Sequence, residues 1–100
     1  MSPSNKQMQR QKNCQLYTYL LHSQNKKVPD EILECAHTYA CEYPVDCVTE
    51  LAEEIRGLDS DTFEKIVNNK QSQEARDLAQ WWEAYQEADA LRKAIKQTYL

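Results

Sequence analysis

Glycine is almost absent from this chain, and that absence limits the folds and the chemistry open to it. Gly57 is the only glycine among 100 residues, and there are three prolines. A β-sandwich or β-barrel needs many turns marked by glycine and proline, so the composition excludes both. Phosphate-binding loops of the Rossmann and Walker types each need several glycines close together, so these nucleotide sites are excluded as well. Helical architectures remain.

Apolar residues recur at helical spacing along most of the chain, and no segment alternates in the manner of a β-strand. We therefore predict an all-α fold, a compact bundle of four to five helices with a long C-terminal helix. Residues 1–11 are almost entirely polar, which predicts a flexible polar and basic tail. Residues 12–100 are then expected to form a single helical domain, since the length suits one domain only.

Prolines and glycine mark the expected ends of the shorter helices. The second helix is predicted to begin at Pro29 and to end before Pro44, because proline suits a first helical turn and stops a helix that reaches it. Its expected inward stripe is Ile32, Ala36, Tyr39, Ala40 and Tyr43. The third helix follows, with Val45, Val48, Leu51, Ala52 and Ile55 facing inward. Gly57 is expected to end it in the left-handed cap conformation.

Two capping registers are open for the fourth helix, with either Asp59 or Asp61 as the cap. Ser72 is the predicted cap of the last helix, which we expect to run from Gln73 to Gln97. That helix carries a seam with alternating three- and four-residue steps, formed by Leu78, Trp81, Tyr85, Ala88, Arg92, Ile95 and Tyr99. A helix of this length extends past a small core, so the seam predicts either a homodimer or contact with a partner's helix.

The adjacent tryptophans Trp81 and Trp82 point about 100° apart on a helix. We expect one of them to enter the core and the other either to pack on a second helix or to lie on a contact surface, where tryptophan is enriched. Only Trp82 lies off the seam, which makes it the candidate for partner contact.

The four cysteines are predicted to be reduced thiols. No apolar run is long enough to span a membrane, and residues 1–13 hold no apolar core of a signal peptide, so we expect a cytoplasmic protein. Two disulfides are the competing interpretation of Cys14, Cys35, Cys41 and Cys47. His37 and Cys41 share a helical face, but the spacing of the cysteines matches no closed zinc site. We therefore predict no metal and no cofactor.

Charge is strongly segregated although the net charge is only −4. Residues 1–27 carry five bases and no acid, residues 28–64 carry eleven acids and one base, and the remainder is nearly balanced. Aligned acids on the third helix favour a partner with a basic surface. The alternative is nucleic-acid binding through the first segment, whose bases and aromatic residues are Lys6, Arg10, Lys12, Lys26, Lys27, Tyr17 and Tyr19.

These features favour an interaction protein over an enzyme, since a short helical chain offers little concave surface and no nucleophile motif. We expect a small adaptor or inhibitor that covers a partner's surface, of the kind that phages and mobile elements direct against host nucleoprotein complexes. A nucleic-acid-associated regulator is the alternative. No catalytic residue is predicted, and the expected partner contacts are Asp46, Glu50, Glu53, Glu54, Trp82, Tyr85, Arg92 and Ile95.

Overall fold

Five α-helices make up the secondary structure of the chain in the computed structural model, which describes residues 4–41, 45–69 and 71–99. No strand occurs within those ranges, so the predicted all-α fold with a long C-terminal helix is confirmed. The helices are α1 (Asn5–Ser23), α2 (Asp30–His37), α3 (Val48–Arg56), α4 (Ser60–Val67) and α5 (Gln73–Tyr99).

A capping box starts α1 well before the apolar residues of that helix. The Ser4 hydroxyl accepts a hydrogen bond from the Gln7 backbone N–H at 3.1 Å, and the Gln7 side chain accepts one from the Ser4 backbone N–H at 2.8 Å. The two bonds satisfy backbone donors that a helix end otherwise leaves unpaired. Residues 5–11, which we assigned to a tail, therefore belong to α1. Their flexibility stays a prediction.

A disulfide ends α2 earlier than the apolar pattern predicts. Cys35 and Cys41 are bonded, with their Cα atoms 5.2 Å apart. Two Cα atoms six residues apart on a continuous helix are separated by about 10 Å. The helix therefore cannot continue through both cysteines, and the backbone turns extended at Thr38, where φ is −143° and ψ is 136°. The prediction of four reduced thiols is wrong for this pair.

The shortened helix also changes which side chains face inward. Ile32 and Ala36 are buried as expected, whereas Tyr39 and Ala40 are exposed because they follow the end of α2. The predicted stripe is therefore wrong beyond Ala36. Its last member, Tyr43, and the predicted stop at Pro44 lie outside the described residues.

Gly57 closes α3 without the left-handed conformation that we predicted. Its φ of −77° and ψ of −11° are right-handed, and its N–H still bonds the Glu53 carbonyl oxygen at 3.0 Å. The following Leu58 N–H bonds Ile55 O at 3.1 Å, so the chain leaves the helix through a tight right-handed turn. Glycine is not required for that backbone conformation.

Replacing Gly57 with alanine is therefore expected to raise the free energy of unfolding by about 0.4–1 kcal/mol. The added Cβ would lie 3.5 Å from the Glu53 carbonyl oxygen, which is an ordinary van der Waals contact. Alanine also restricts the unfolded chain more than glycine does. Urea unfolding of the two proteins measures the change, and a less stable alanine variant would contradict the right-handed assignment.

Side-chain caps begin α4 and α5 at defined residues. The Asp59 carboxylate accepts a hydrogen bond from the Thr62 N–H at 2.7 Å, which selects Asp59 over Asp61 as the cap. That hydrogen bond is the main cause that lowers the pKa of Asp59. The Ser72 hydroxyl accepts a bond from the Ala75 N–H at 3.2 Å, which confirms Ser72 as the cap of α5.

The core lies where α1 crosses α2, α3 and the first turns of α5. Its fully buried side chains are Cys14, Leu16, Leu20, Cys35, Cys47, Leu51 and Leu78. An ion pair between Lys12 and Asp77 joins α1 to α5, and the Tyr19 hydroxyl donates to the Ile66 carbonyl oxygen at 3.2 Å. Helical packing of this kind buries the apolar stripe of each helix against its neighbours.

The second half of α5 extends beyond this core. Leu78 is buried, the side chains of Trp81, Trp82, Tyr85 and Asp89 are half-buried, and every side chain from Ala90 to Thr98 is exposed. A helix of 27 residues is about 40 Å long. The longest dimension of the molecule is 41 Å, so one helix is as long as the whole fold.

Candidate functional site

The acids predicted to contact a partner from the third helix are exposed in the folded protein, with one exception. Asp46, Glu50 and Glu53 are exposed, and the ion pairs within residues 4–41, 45–69 and 71–99 involve none of the three. Glu54 instead turns toward α1, where its carboxylate lies 3.1 Å from the Lys26 ammonium and accepts a bond from Gln24 at 3.2 Å. Three of the four predicted acids therefore face solvent.

The nucleic-acid alternative requires the bases of residues 1–27, and several of these bases contact other parts of the fold. Lys12 pairs with Asp77, Lys26 pairs with Glu54, and the Arg10 guanidinium donates to the Tyr39 carbonyl oxygen at 3.3 Å. The opposite charges of the first and second segments thus meet within the molecule. These contacts leave fewer cations of α1 available to phosphate groups.

The two tyrosines of α1 also pack inward. Tyr17 and Tyr19 are half-buried against the core. Burial is the main cause that raises the pKa of Tyr17, and the nearby carboxylates of Glu54 and Glu50 raise it further. A ring packed beside carboxylates is poorly placed to stack on a nucleic-acid base.

Aromatic side chains form a cluster at the middle of α5. The Trp82 ring meets Phe63 of α4 edge to face, with 6.3 Å between centroids. Tyr85 stacks near both tryptophans, at 5.3 Å from Trp81 and 5.8 Å from Trp82. Both tryptophans are half-buried and both pack against the core. Trp82 thus packs on a second helix, α4, which is one of the two alternatives predicted for the tryptophan outside the core.

Arg56, at the end of α3, joins that helix to the aromatic cluster. Its guanidinium carbon lies 5.6 Å from the centroid of the Tyr85 ring, and its Nη2 lies 3.7 Å from an oxygen of Asp89. The guanidinium of Arg92 lies 5.8 Å from the same ring. The hydrogen bond from Lys93 is the main cause that lowers the pKa of Asp89. Tyr85 thus lies between two cations of the surface.

Sequence reasoning missed Arg56 and Asp89, although one signal was available. Arg56 is the only base among the eleven acids of residues 28–64, and it stands three residues after Glu53 on the same helical face. An isolated base at the end of an acidic helix indicates a specific contact. Its partner on α5 depends on how two helices pack, which spacing along the chain does not define.

The contacts of Arg56 join the surface that carries the acids of α3 to the aromatic cluster of α5. We call the combined surface the α3–α5 surface, and its residues are Glu50, Glu53, Arg56, Trp82, Tyr85, Asp89 and Arg92. It brings together five of the eight predicted contact residues, because Ile95 lies on another side of α5, about 140° from Trp82. Glu54 is outside it because it pairs with Lys26, and Asp46 precedes α3, where its carboxylate accepts a bond from the Val48 N–H at 3.1 Å.

The candidate metal ligands do not come together as a metal site. Cys35 and Cys41 are bonded to each other, which removes both sulfurs from the set that included His37. Across the described portion of the chain, no group of three or more histidine, cysteine or acidic side chains is placed to hold a metal ion.

Comparisons with protein-family models, with curated proteins and with solved structures find no match for this chain. Among the helices described above, none is both long enough and apolar enough to cross a membrane.

Proposed function

We propose that this protein is a small, non-enzymatic interaction module that binds another protein through the α3–α5 surface. The contact of Arg56 with Tyr85 and Asp89 carries this proposal, because it joins an exposed acidic face to an aromatic and arginine cluster. A few residues carry most of the binding energy at protein interfaces, and tryptophan, tyrosine and arginine are enriched among them. Acids at one end of the surface provide charge complementarity to a partner.

The partner that fits this surface has a basic patch. Exposed acids at Glu50 and Glu53 attract a basic protein over several ångströms and raise the rate of association at low salt. The nucleic-acid groove of another protein has that charge. An adaptor or inhibitor that covers such a groove is therefore the function we propose, and a phage or mobile-element inhibitor of a host nucleoprotein complex is the form that we favour.

We also propose that the exposed end of α5 binds a second copy of this chain. Ala84, Ala88, Leu91 and Ile95 follow three- and four-residue steps along one side of the helix, and all four are exposed. Acids flank the start of this stripe at Glu83 and Glu87, whereas bases flank its end at Arg92, Lys93 and Lys96. An antiparallel pair of α5 helices would place each basic end beside the other's acidic start.

The double substitution Glu50→Lys and Glu53→Lys is expected to weaken partner binding by at least tenfold at low salt. It should also flatten the salt dependence of the dissociation constant, because the attraction between opposite charges becomes repulsion. Tagged protein would first retrieve the partner from cells of the source organism. Binding of the purified pair would then be measured at two salt concentrations.

Glu31→Lys with Glu34→Lys is the matched control, since it changes the net charge equally at two exposed acids of α2, outside the α3–α5 surface. That control is expected to leave partner binding within about twofold, the range of a distant surface charge at moderate salt. Equal loss in both variants would contradict a specific acidic face. The tagged protein could instead retain nucleic acid and no protein, and could lose that binding when residues 1–11 are deleted. That result would replace the proposal with the nucleic-acid alternative.

A further inference from the structure

Two buried thiols lie in contact between α1 and the residue that precedes α3. The Sγ atoms of Cys14 and Cys47 are 3.2 Å apart, and both side chains are fully buried. A covalent S–S bond is about 2.0 Å long, so an approach of roughly 1.2 Å separates this contact from a bond. We propose that Cys14 and Cys47 are the site of a second disulfide, formed by exchange with a small disulfide such as glutathione disulfide.

The exchange balances in two steps. The Cys14 thiolate attacks one sulfur of the oxidant, so that a mixed disulfide forms and one glutathione thiolate leaves. Cys47 then loses its proton and attacks the sulfur of Cys14, which expels the second glutathione. Two protein thiols are oxidised to one disulfide, and one glutathione disulfide is reduced to two thiols. This inference is independent of the proposed interaction surface.

The surroundings of the pair favour Cys14 as the first nucleophile. The hydrogen bond from Cys47 is the main cause that lowers the pKa of the Cys14 thiol, and the charge of Arg10 lowers it further against the effect of burial. The same hydrogen bond and burial raise the pKa of Cys47. A cysteine that ionises more readily than its neighbour attacks first, and the neighbour resolves the mixed disulfide.

A groove beside the pair gives the oxidant a route. Neighbours of both cysteines line it together with two bases of α1, and its lining residues are Lys6, Gln9, Arg10, Asn13, Val45, Asp46 and Val48. Residues 45–47 precede α3, and one backbone hydrogen bond, from the Leu51 N–H to the Cys47 carbonyl oxygen at 2.8 Å, ties Cys47 to that helix, so opening this segment breaks only the first bond of α3. Glutathione carries carboxylates, which Lys6 and Arg10 attract.

The bond would connect α1 to α3 and would pair all four cysteines of the chain. The existing bond joins residues only six apart, whereas Cys14 and Cys47 are 33 apart. A longer closed loop restricts the unfolded chain more. The second bond is therefore expected to stabilise the folded state more than the bond between Cys35 and Cys41 does. We expect an increase of about 30-fold or more in the equilibrium constant for folding.

The test is to refold the reduced, denatured full chain in a glutathione redox buffer and then to alkylate any remaining thiols. We expect a product four hydrogens lighter than the reduced chain, with no alkylated cysteine. Cleavage after acidic residues separates Cys47 from Cys35 and Cys41 at Glu42 and Asp46. Mass spectrometry is then expected to show the Cys14 peptide joined to the Cys47 peptide.

Cys35→Ser with Cys41→Ser is the matched control, because it leaves Cys14 and Cys47 as the only cysteines. This variant is expected to form the Cys14–Cys47 bond in the same buffer, which supports the pairing even when the other disulfide is absent. Wild-type protein that retains two alkylated thiols, or that joins Cys14 to Cys35 or Cys41, would overturn the proposal.

Discussion

Replacing Leu51 with alanine is expected to lower the free energy of unfolding by about 2–5 kcal/mol. Leu51 lies on α3, and its side chain is fully buried beside Leu16, Leu20 and Leu78 in the same core. Removing its methyl groups loses the free energy of burial and leaves a cavity that neighbours fill only in part. A small domain has a total stability of about 5–15 kcal/mol, so this one change removes a large fraction of it.

Leu91→Ala is the matched control because it removes the same atoms from the exposed part of α5. The Leu91 side chain is 63% exposed, so its truncation is expected to change stability by less than about 0.5 kcal/mol. Urea unfolding of both variants, monitored by far-UV circular dichroism at a protein concentration at which the chain is monomeric, measures the difference. Equal destabilisation would mean that the end of α5 packs into the core, which would contradict the structure.

Replacing Ile95 with aspartate is expected to abolish self-association while leaving the helical content nearly unchanged. Ile95 is 50% exposed, and it lies one turn after Leu91 on the stripe proposed to contact a second copy. A carboxylate buried in that contact would lose its hydration without gaining a partner. The same group on a solvated helix of the monomer costs little.

Sedimentation velocity across a range of protein concentrations measures this effect. The wild-type chain is expected to form dimers as concentration rises, and Ile95→Asp is expected to sediment as a monomer throughout. Ala90→Asp is the matched control, since Ala90 is exposed on the same helix but lies about 140° from Ile95. A wild-type monomer at every concentration would eliminate the second-copy contact, and unfolding of Ile95→Asp would place that residue in the core.

Helical periodicity was sufficient to predict most of the architecture. The stripe of α3 is buried at Leu51, Ala52 and Ile55, as its spacing predicts, whereas Val48 is half-buried and Val45, also half-buried, precedes the helix. Ser72 begins α5 because its hydroxyl caps the first turn, a signal that lies within three residues of sequence. Such local rules succeed where a side chain and the backbone group that it contacts are close in the sequence.

The errors occur where a contact depends on tertiary structure or where two local signals conflict. The pattern of Tyr39 and Ala40 favours a longer α2, but the bond between Cys35 and Cys41 requires a shorter distance than a helix allows. The polar composition of residues 1–11 predicts a tail, whereas the capping box at Ser4 starts α1 at Asn5. Only the packing of α3 against α5 shows that Arg56 completes the candidate surface.

The separation of α5 into a packed half and an exposed half has an evolutionary consequence. A protein that is only marginally stable loses its fold when several core residues change, so its core evolves slowly. Residues from Ala90 to Thr98 are exposed, so most substitutions there leave the fold nearly as stable as before. Fold stability therefore places little constraint on this half of the helix, and the chain can acquire a new binding preference there without first acquiring extra stability.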